Sequence, residues 1–317
     1  MPDYINEALS LYGITNAKTT LLRHNENLTY RIDFEEKPFC LRMKNPISGF
    51  DLSVFNGDSE IFLRGELDLI SALKGKTDIT VQKPVETLTG DVLARLSDGT
   101  LVSLLSWVEG VPLNKEKRTE QMLTSVGQTL AKLRNAMETI PKRNTFSRFS
   151  YNQELVKKLI VKAKQGVEYL PEEAIQSITR ALNTVSSIMD EMDSREEILI
   201  AHADTGFGNM IWTGKNIGLI DWSLSGYAHS YMDLGGLMGA TSNRDEQQLL
   251  LGGWESVRGK INRRYLDAYF AFSVLLFICC QYSRSKEWTD WFPAALKRWQ
   301  YTIFDPLSSG CVIPCIL

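Results

Sequence analysis

Asp204, Asn209 and Asp221 are the side chains whose types and spacing could do chemistry, and all three fall within residues 198–222. The apolar run Ile198-Leu-Ile-Ala stops at His202, and a short polar loop then carries Asp204 and Asn209. The runs Met210-Ile-Trp212 and Ile217-Gly-Leu-Ile220 flank the turn Thr213-Gly-Lys-Asn216 and lead to Asp221. Short apolar runs separated by turn residues read as strands, which brings the three polar groups to one end of a small sheet. Such a set can hold a divalent cation and orient a hydroxyl. Asn209 offers a neutral carbonyl and Asp221 a charged oxygen, both hard donors suited to Mg2+, which keeps waters and substrate phosphates in its other positions.

The rest of the composition narrows the choice. A chain of 317 residues buries a large core and fits one large domain or two lobes. A net charge of -3 and a pI near 5.8 give no electrostatic case for nucleic acid or an anionic membrane. The cysteines, Cys40, Cys279, Cys280, Cys311 and Cys315, lack the paired spacing of structural zinc, and the only histidines are His24, His202 and His229. Any metal is therefore expected to be oxygen-liganded. The N-terminus shows no secretory pattern, and the apolar run Ala268 to Cys280 is too short to span a bilayer and reads as a buried helix. Reduced thiols in a cytoplasm fit these features.

The elements that must position the site follow from periodicity. Residues 4–12 predict a short leading helix with Ile5, Ala8, Leu9 and Tyr12 on one face and Asp3 as its cap. Thr29–Phe34 and Phe39–Lys44 alternate around the turn Glu35-Glu36-Lys37-Pro38, a β-hairpin in which Arg42 and Lys44 share a face. The turn Asn45-Pro-Ile-Ser-Gly leads to a helix from about Glu60 to Leu73, with Ile61, Leu63, Leu67, Ile70 and Leu73 on its apolar side. Its Glu66 is either a partner for the strand cation or a solvated helix acid. Strands are expected at Asp91–Leu96 and Leu101–Val108, and Gly110 and Pro112 mark a break. The boundary between a sheet-rich lobe (1–108) and a helical lobe (109–317) is placed there. Helices then follow through Met122–Met137, Leu155–Val167 and Pro171–Met189, and again through 230–251, 260–282 and 288–303.

The phrase His202-x-Asp204-x-x-x-x-Asn209, with Leu219-Ile-Asp-Trp222 and Tyr231-Met-Asp233-Leu234 after it, resembles the aminoglycoside phosphotransferase and choline kinase family, relatives of protein kinases. Matching features run from about Leu21 to Leu237. The resemblance implies an α+β, protein-kinase-like fold with a small antiparallel-sheet lobe and a larger helical lobe. It implies transfer of the γ-phosphoryl group of ATP or GTP, with Mg2+, to a small-molecule hydroxyl. It casts Asp204 as the catalytic base, Asn209 and Asp221 as the magnesium ligands, and His202 as structural in the loop. Asp233 either caps the helix at Leu234 or braces the loop. Arg42, or Lys44 two residues on, occupies the place of the phosphate-binding lysine, with Glu66 as its partner. Residues Ser106 to Val108 stand where a hinge bonds the nucleotide base.

The chain also departs from the family pattern. Leu22-Arg23-His24-Asn25-Glu26-Asn27 replaces a glycine-containing phosphate loop and has no glycine. Gly206 stands where the second loop histidine is usual, and Arg134 where relatives often carry histidine. These departures leave room for a nucleotide-binding regulatory protein that has lost catalysis, while the absence of ordered HRD, DFG and APE sequences disfavours a protein kinase. Tyr12-Gly-Ile, Glu26–Arg31 and Leu41-Arg42 look like type II homoserine kinases, so the acceptors to consider are amino alcohols, sugars, homoserine-like and aminoglycoside-like molecules. Glu255, Asp267 and Asp290 are acids that could attract a cationic amino alcohol, but a solvated helix face is the expected place of each. Trp254, Tyr265, Tyr269, Trp288, Trp291 and Trp299 could line a pocket, although aromatic residues at helical spacing are more often core.

Overall fold

The computed structural model of the chain describes residues 3–24, 27–45, 51–114, 117–140, 145–194 and 198–316. Asn25, Glu26 and the predicted turn at 46–49 lie outside the described residues. The leading helix α1 (Asp3–Ser10) is followed by β1 (Lys18–His24), which the periodicity missed, and by the expected hairpin of β2 (Asn27–Phe34) and β3 (Lys37–Lys44). Glu35 and Glu36 make its turn with φ of 46° and 60°. Helix α2 (Ser59–Ala72) is capped by Asp58, whose side chain accepts the N–H groups of Glu60 and Ile61. Strands β4 (Thr80–Val81), β5 (Ala94–Arg95) and β6 (Leu101–Ser106) complete this half, and β1-β2-β3-β6-β5 form one antiparallel sheet.

Alternation divides that sheet into two working faces. Tyr30, Ile32, Leu41, Met43, Val102 and Leu104 pack against Ile5, Ala8 and Leu9 of α1. Cys40, Leu101 and Leu105 pack against Leu67 of α2 on the other side. Arg42 shares the α2 face with Cys40 because it is two residues on. Ile61, counted in the apolar stripe of α2, is instead exposed at 54% and looks to solvent.

Strand β7 (Val111–Pro112) leads into α3 (Glu120–Glu138), whose cap is Thr119. After β8 (Phe149–Ser150) come α4 (Gln153–Gln165) and α5 (Glu172–Asp193). Val167, assigned to the α4 stripe, lies beyond the helix end and is exposed. Next are β9 (Leu199–Ala201), β10 (Met210–Trp212), β11 (Ile217–Leu219) and β12 (Gly226–Ala228). The β10–β11 hairpin is flanked by β7 and, in parallel, by β4, so a strand from the first hundred residues supports the stretch that ends at Asp221.

The span 230–251 divides into α6 (Tyr231–Met238) and α7 (Arg244–Arg258), because Gly239 ends the first and the Asn243 side chain caps the second. Helices α3 and α7 touch backbone to backbone: a Cβ on Gly127 would sit 1.9 Å from the Leu250 carbonyl oxygen, and one on Gly253 2.2 Å from that of Thr124. Helix α8 (Arg263–Gln281) is the apolar helix expected near 260–282. The helical span Arg263–Lys286 is long and apolar enough to cross a membrane, but 67% of its apolar window is buried in the helical core. Helix α9 (Phe292–Trp299) continues through a π-helical stretch at Gln300–Phe304 into α10 (Asp305–Ser308). The architecture is α+β, with the five-stranded sheet at one end of the sequence and helices dominating the rest.

Candidate active site

The loop after β9 is held by a carboxylate from α6. Asp233 accepts the main-chain N–H of Ala203 at 2.7 Å and that of His202 at 3.1 Å, and its own carbonyl takes the Thr205 hydroxyl at 2.7 Å. This grip keeps Ala203 at φ 62°, a conformation that side chains rarely adopt. His202 is fully buried against Trp222. Its Nδ1 accepts the Asp204 N–H at 3.3 Å, which makes Nε2 the donor to the Ile220 carbonyl at 3.1 Å. The ring is thus fully engaged in joining the loop to the end of β11. Arg134, on α3, bonds the Ala228 carbonyl, and its positive charge lies close enough to Asp233 to favour that carboxylate. Burial nevertheless dominates and raises the Asp233 pKa above its ordinary value.

Asn209 donates its amide nitrogen to the Asp204 carboxylate at 2.7 Å and to the Asp204 carbonyl at 3.0 Å. Only its carbonyl oxygen remains for a cation. Burial, with repulsion from Asp221 behind it, pushes the Asp204 carboxyl above the ordinary range, against the opposing influence of His202 and the Asn209 bond.

Asp221 sits just past β11 at φ 63°, its main-chain N–H aimed at the buried side chain of Gln82. Two arginines from the five-stranded sheet converge on it. Arg23 of β1 pairs with Oδ2, and Arg42 Nη1 lies 3.7 Å from Oδ1. Burial opposes ionisation of Asp221, but Arg23 and then Arg42 outweigh it and hold the carboxyl below its ordinary range. Arg42 Nη1 is also bonded to Glu66 Oε1 at 2.7 Å, both side chains being almost fully buried. Glu66 therefore faces the strand cation rather than water. The pairing falls to Arg42, while Lys44 lines an adjoining cavity with Glu66, Phe62 and Ser223. Arg42 Nε and Nη2 and Asp221 Oδ1 are buried with no hydrogen-bond partner, polar atoms that a native site leaves unmatched only for a reason.

The family model described as the phosphotransferase enzyme family matches residues 19–273. The chain belongs to that family. It is accordingly a kinase whose acceptor is an alcohol group. A comparison with curated proteins finds no match. Among solved structures, the phosphotransferase is similar to a microcompartment-associated aminopropanol kinase at 18% identity, covering 99% of each chain with a TM-score of 0.77. It is similar to an amicoumacin kinase in complex with AMP-PNP and Ca2+ at 14% identity, covering 98% of this chain and 94% of that one with a TM-score of 0.75. A GDP and kanamycin complex of APH(2")-IIia shares 13% identity over 98% of this chain and 99% of that one, with a TM-score of 0.67. At these identities the likeness establishes the protein-kinase-like fold.

Other residues of the phosphotransferase complete the picture. Ser106 is engaged within the protein: its N–H bonds the Lys83 carbonyl at 2.7 Å and its hydroxyl takes the Lys83 N–H at 2.8 Å. Val108, buried against Gly218, makes no main-chain bond to another described residue and so keeps its groups available. Arg148 was not singled out from sequence. Its buried guanidinium donates to the carbonyls of Trp222, Ser223 and Ser225, just after Asp221, and to that of Phe62 on α2. Arg23 was passed over too, being read only as part of a loop without glycine.

Asp204, Asn209 and Asp221 open onto one cavity of about 420 Å3. None of Glu255, Asp267 and Asp290 lines it: Glu255 pairs with Lys260, and Asp267 with Arg263 and the Ile313 N–H. Trp254, Tyr265 and Tyr269 are core, and Trp288, Trp291 and Trp299 cluster with Phe277 and Phe292. Of that cluster only Phe277 reaches the cavity wall.

Proposed function

We propose that this phosphotransferase moves the γ-phosphoryl group of ATP or GTP to a hydroxyl of a compact small molecule. The observation that carries the reading is the meeting of Asp204, Asn209 and Asp221 on one cavity directly beside the buried Arg42–Glu66 pair. Phosphoryl transfer passes through a loose transition state, so positioning and charge neutralisation supply most of the catalysis. Asp204 orients the acceptor hydroxyl and takes its proton late. Asn209 and Asp221 fit Mg2+, because a carboxylate oxygen without a partner and an amide carbonyl form the hard donor set it prefers. Among the described residues no three His, Cys, Asp or Glu converge into a cage, in keeping with an ion completed by nucleotide phosphates. When bound, that ion neutralises charge on the β and γ phosphates. Arg42, fixed by Glu66, meets the phosphates from the sheet, and the main chain at Val108 meets the base. His202 and Asp233 hold the loop. We take residues 1–108 as the part that covers the nucleotide and 109–317 as the part that carries the loop and the acceptor, in a cytoplasm that supplies nucleotide and Mg2+.

The cavity wall indicates the acceptor class. Leu52, Phe55, Met232, Leu276 and Phe277 are apolar, Gln281 is neutral, and among the described residues the only lining carboxylates are Asp204 and Asp221. Burial pushes the Cys280 thiol in this wall up to about 12, so it too is uncharged. Among the described residues a polycation would find no counter-charge here beyond the catalytic acids. An amino alcohol or homoserine-like acceptor with an apolar side suits the wall better than an aminoglycoside.

The test is product formation from ATP and GTP across amino alcohols, homoserine, sugars and aminoglycosides. Asp204→Asn is expected to lower kcat by about 10²- to 10⁴-fold, the usual share of a general base, with nucleotide affinity retained. Unchanged turnover in that variant would remove Asp204 from the mechanism. Mg2+-dependent nucleotide binding without product on any acceptor would favour a regulatory protein.

A further inference from the structure

Strand β1 pairs with β2 in register from Lys18↔Asp33 to Leu21↔Tyr30, and then the register slips by one to Arg23↔Thr29. Leu22 is the extra residue. A β-bulge of this kind re-aims the side chain that follows it. Partners across antiparallel strands share a face, so Arg23 joins Thr29, Arg42 and Ser103, which are paired in turn across β2, β3 and β6. Without the bulge Arg23 would stand opposite Leu28 and Met43, on the α1 face of the sheet. One inserted residue therefore turns a guanidinium from the wrong side of the sheet to the side that holds Arg42, Glu66 and Asp221.

On that side it pairs with Asp221 across 198 residues of sequence, while 40% of its side chain stays exposed. It lies beside buried polar atoms that make no hydrogen bond, Arg42 Nε and Nη2 and Asp221 Oδ1. Arg42 is already balanced by Glu66, but its unmatched N–H groups and the half-exposed guanidinium of Arg23 on the cavity wall are donors that an incoming anion would satisfy. A divalent cation arriving at Asp221 would repel the guanidinium at a few ångströms in a half-buried setting. The anion nearest to hand would be the terminal phosphates accompanying that cation, which a guanidinium can grip with two parallel bonds.

We propose that Arg23 is a phosphate-clamping residue that exchanges Asp221 for the terminal phosphates of the nucleotide, replacing the backbone amides of the glycine loop that this chain lacks. The proposal rests on the kinase reading above. It gives Arg23 two roles: without nucleotide it masks the charge of Asp221, and with nucleotide it faces the transferring group.

Isothermal titration of wild type, Arg23→Gln and Arg23→Lys with Mg2+ and AMP-PNP or GMP-PNP, and with the matching free nucleoside, tests it. Arg23→Gln should bind the triphosphate analogue about 10- to 100-fold more weakly, the range for losing a charge-assisted pair of bonds. Nucleoside binding should not change, and Arg23→Lys should recover part of the loss. Mn2+ alone, followed by its electron spin resonance signal, should bind Arg23→Gln more tightly than wild type because Asp221 is unmasked. Triphosphate affinity unchanged in Arg23→Gln, with only Mn2+ tightened, would reduce Arg23 to a cap on Asp221 and overturn the clamp. An equal loss of nucleoside binding would overturn it as well, by making the effect one of fold. A wild-type protein that binds neither nucleoside nor triphosphate would defeat the kinase reading itself. Arg23 is itself 40% exposed, and Arg42 stays beside Asp221 to balance its charge, so the variants are expected to fold.

Discussion

Asp233 Oδ1 accepts the main-chain N–H of Ala203 at 2.7 Å, a single bond from α6 that fixes the left-handed turn in front of Asp204. The other carboxylate oxygen holds His202 at 3.1 Å. Removing the carboxylate leaves two buried amides unmatched, each worth about 1–3 kcal/mol. Asp233→Ala is expected to lose about 2–4 kcal/mol in urea unfolding and to lower kcat, with nucleotide affinity little changed. Asp233→Asn, which keeps one acceptor, should fall between the two.

The Arg42–Glu66 pair separates stability from function. Arg42→Met leaves Glu66 buried without a partner, at about 3–5 kcal/mol. Replacing both, Arg42→Met with Glu66→Leu, restores apolar packing and should recover most of that loss. Turnover should remain low in both variants if Arg42 is the cation that meets the phosphates, as proposed. Thermal unfolding and kcat measured together would reveal a double variant with restored activity, which would remove Arg42 from the phosphate site.

Arg148 ties α2 to the segment after Asp221 through carbonyls on both. Its planar fork reaches several carbonyls at once, which a lysine ammonium cannot reproduce. Arg148→Lys is expected to lose about 2–3 kcal/mol, and Arg148→Ala more. Because the segment it holds follows Asp221, loss of metal affinity should accompany loss of stability, as read by Mn2+ titration of the folded fraction.

Glu246 sets a pH dependence. It receives Arg118 through Nε and Nη2, each at 3.1 Å, and the Thr241 hydroxyl at 2.5 Å. Burial works against the carboxylate, but Arg118 and Thr241 prevail and lower its pKa from 4.5. A group depressed on folding contributes stability that is complete above the unfolded value and is lost as pH falls through the folded one. Glu246→Gln should thus be less stable than wild type at pH 7 by about 1–2 kcal/mol. The gap should narrow as pH drops below about 4.5. Melting curves taken from pH 7 to pH 3 would show a constant gap if Glu246 does not titrate in that window.

Several of these residues were legible in advance. Asp204, Asn209 and Asp221 stand out because a loop and a hairpin put them close in sequence, and turn residues mark the hairpin. The β2–β3 hairpin, α2 and α3 follow from alternation or helical spacing, with boundaries shifted by capping side chains such as Asp58 and Thr119. Strand β1 was missed because Lys18-Thr-Thr-Leu-Leu-Arg-His is exposed along most of its length and carries no apolar alternation. Ile61 and Val167 were misplaced because periodicity reports which residues could share a face, and packing decides which of them a neighbour covers.

The sequence by itself determined the local frame: which carboxylates end which strands, and that the sheet carries a cation on the face of its second hairpin strand. Only the tertiary structure decided that the cation paired with Glu66 is Arg42, that a bulge at Leu22 turns Arg23 onto the same face, and that Arg148 gathers carbonyls from α2 and the Asp221 segment. The reason is range. A pattern of alternation specifies faces over a few residues, whereas a guanidinium reaches partners 198 residues away only after the sheet and the helices have packed and excluded the water that would otherwise solvate it.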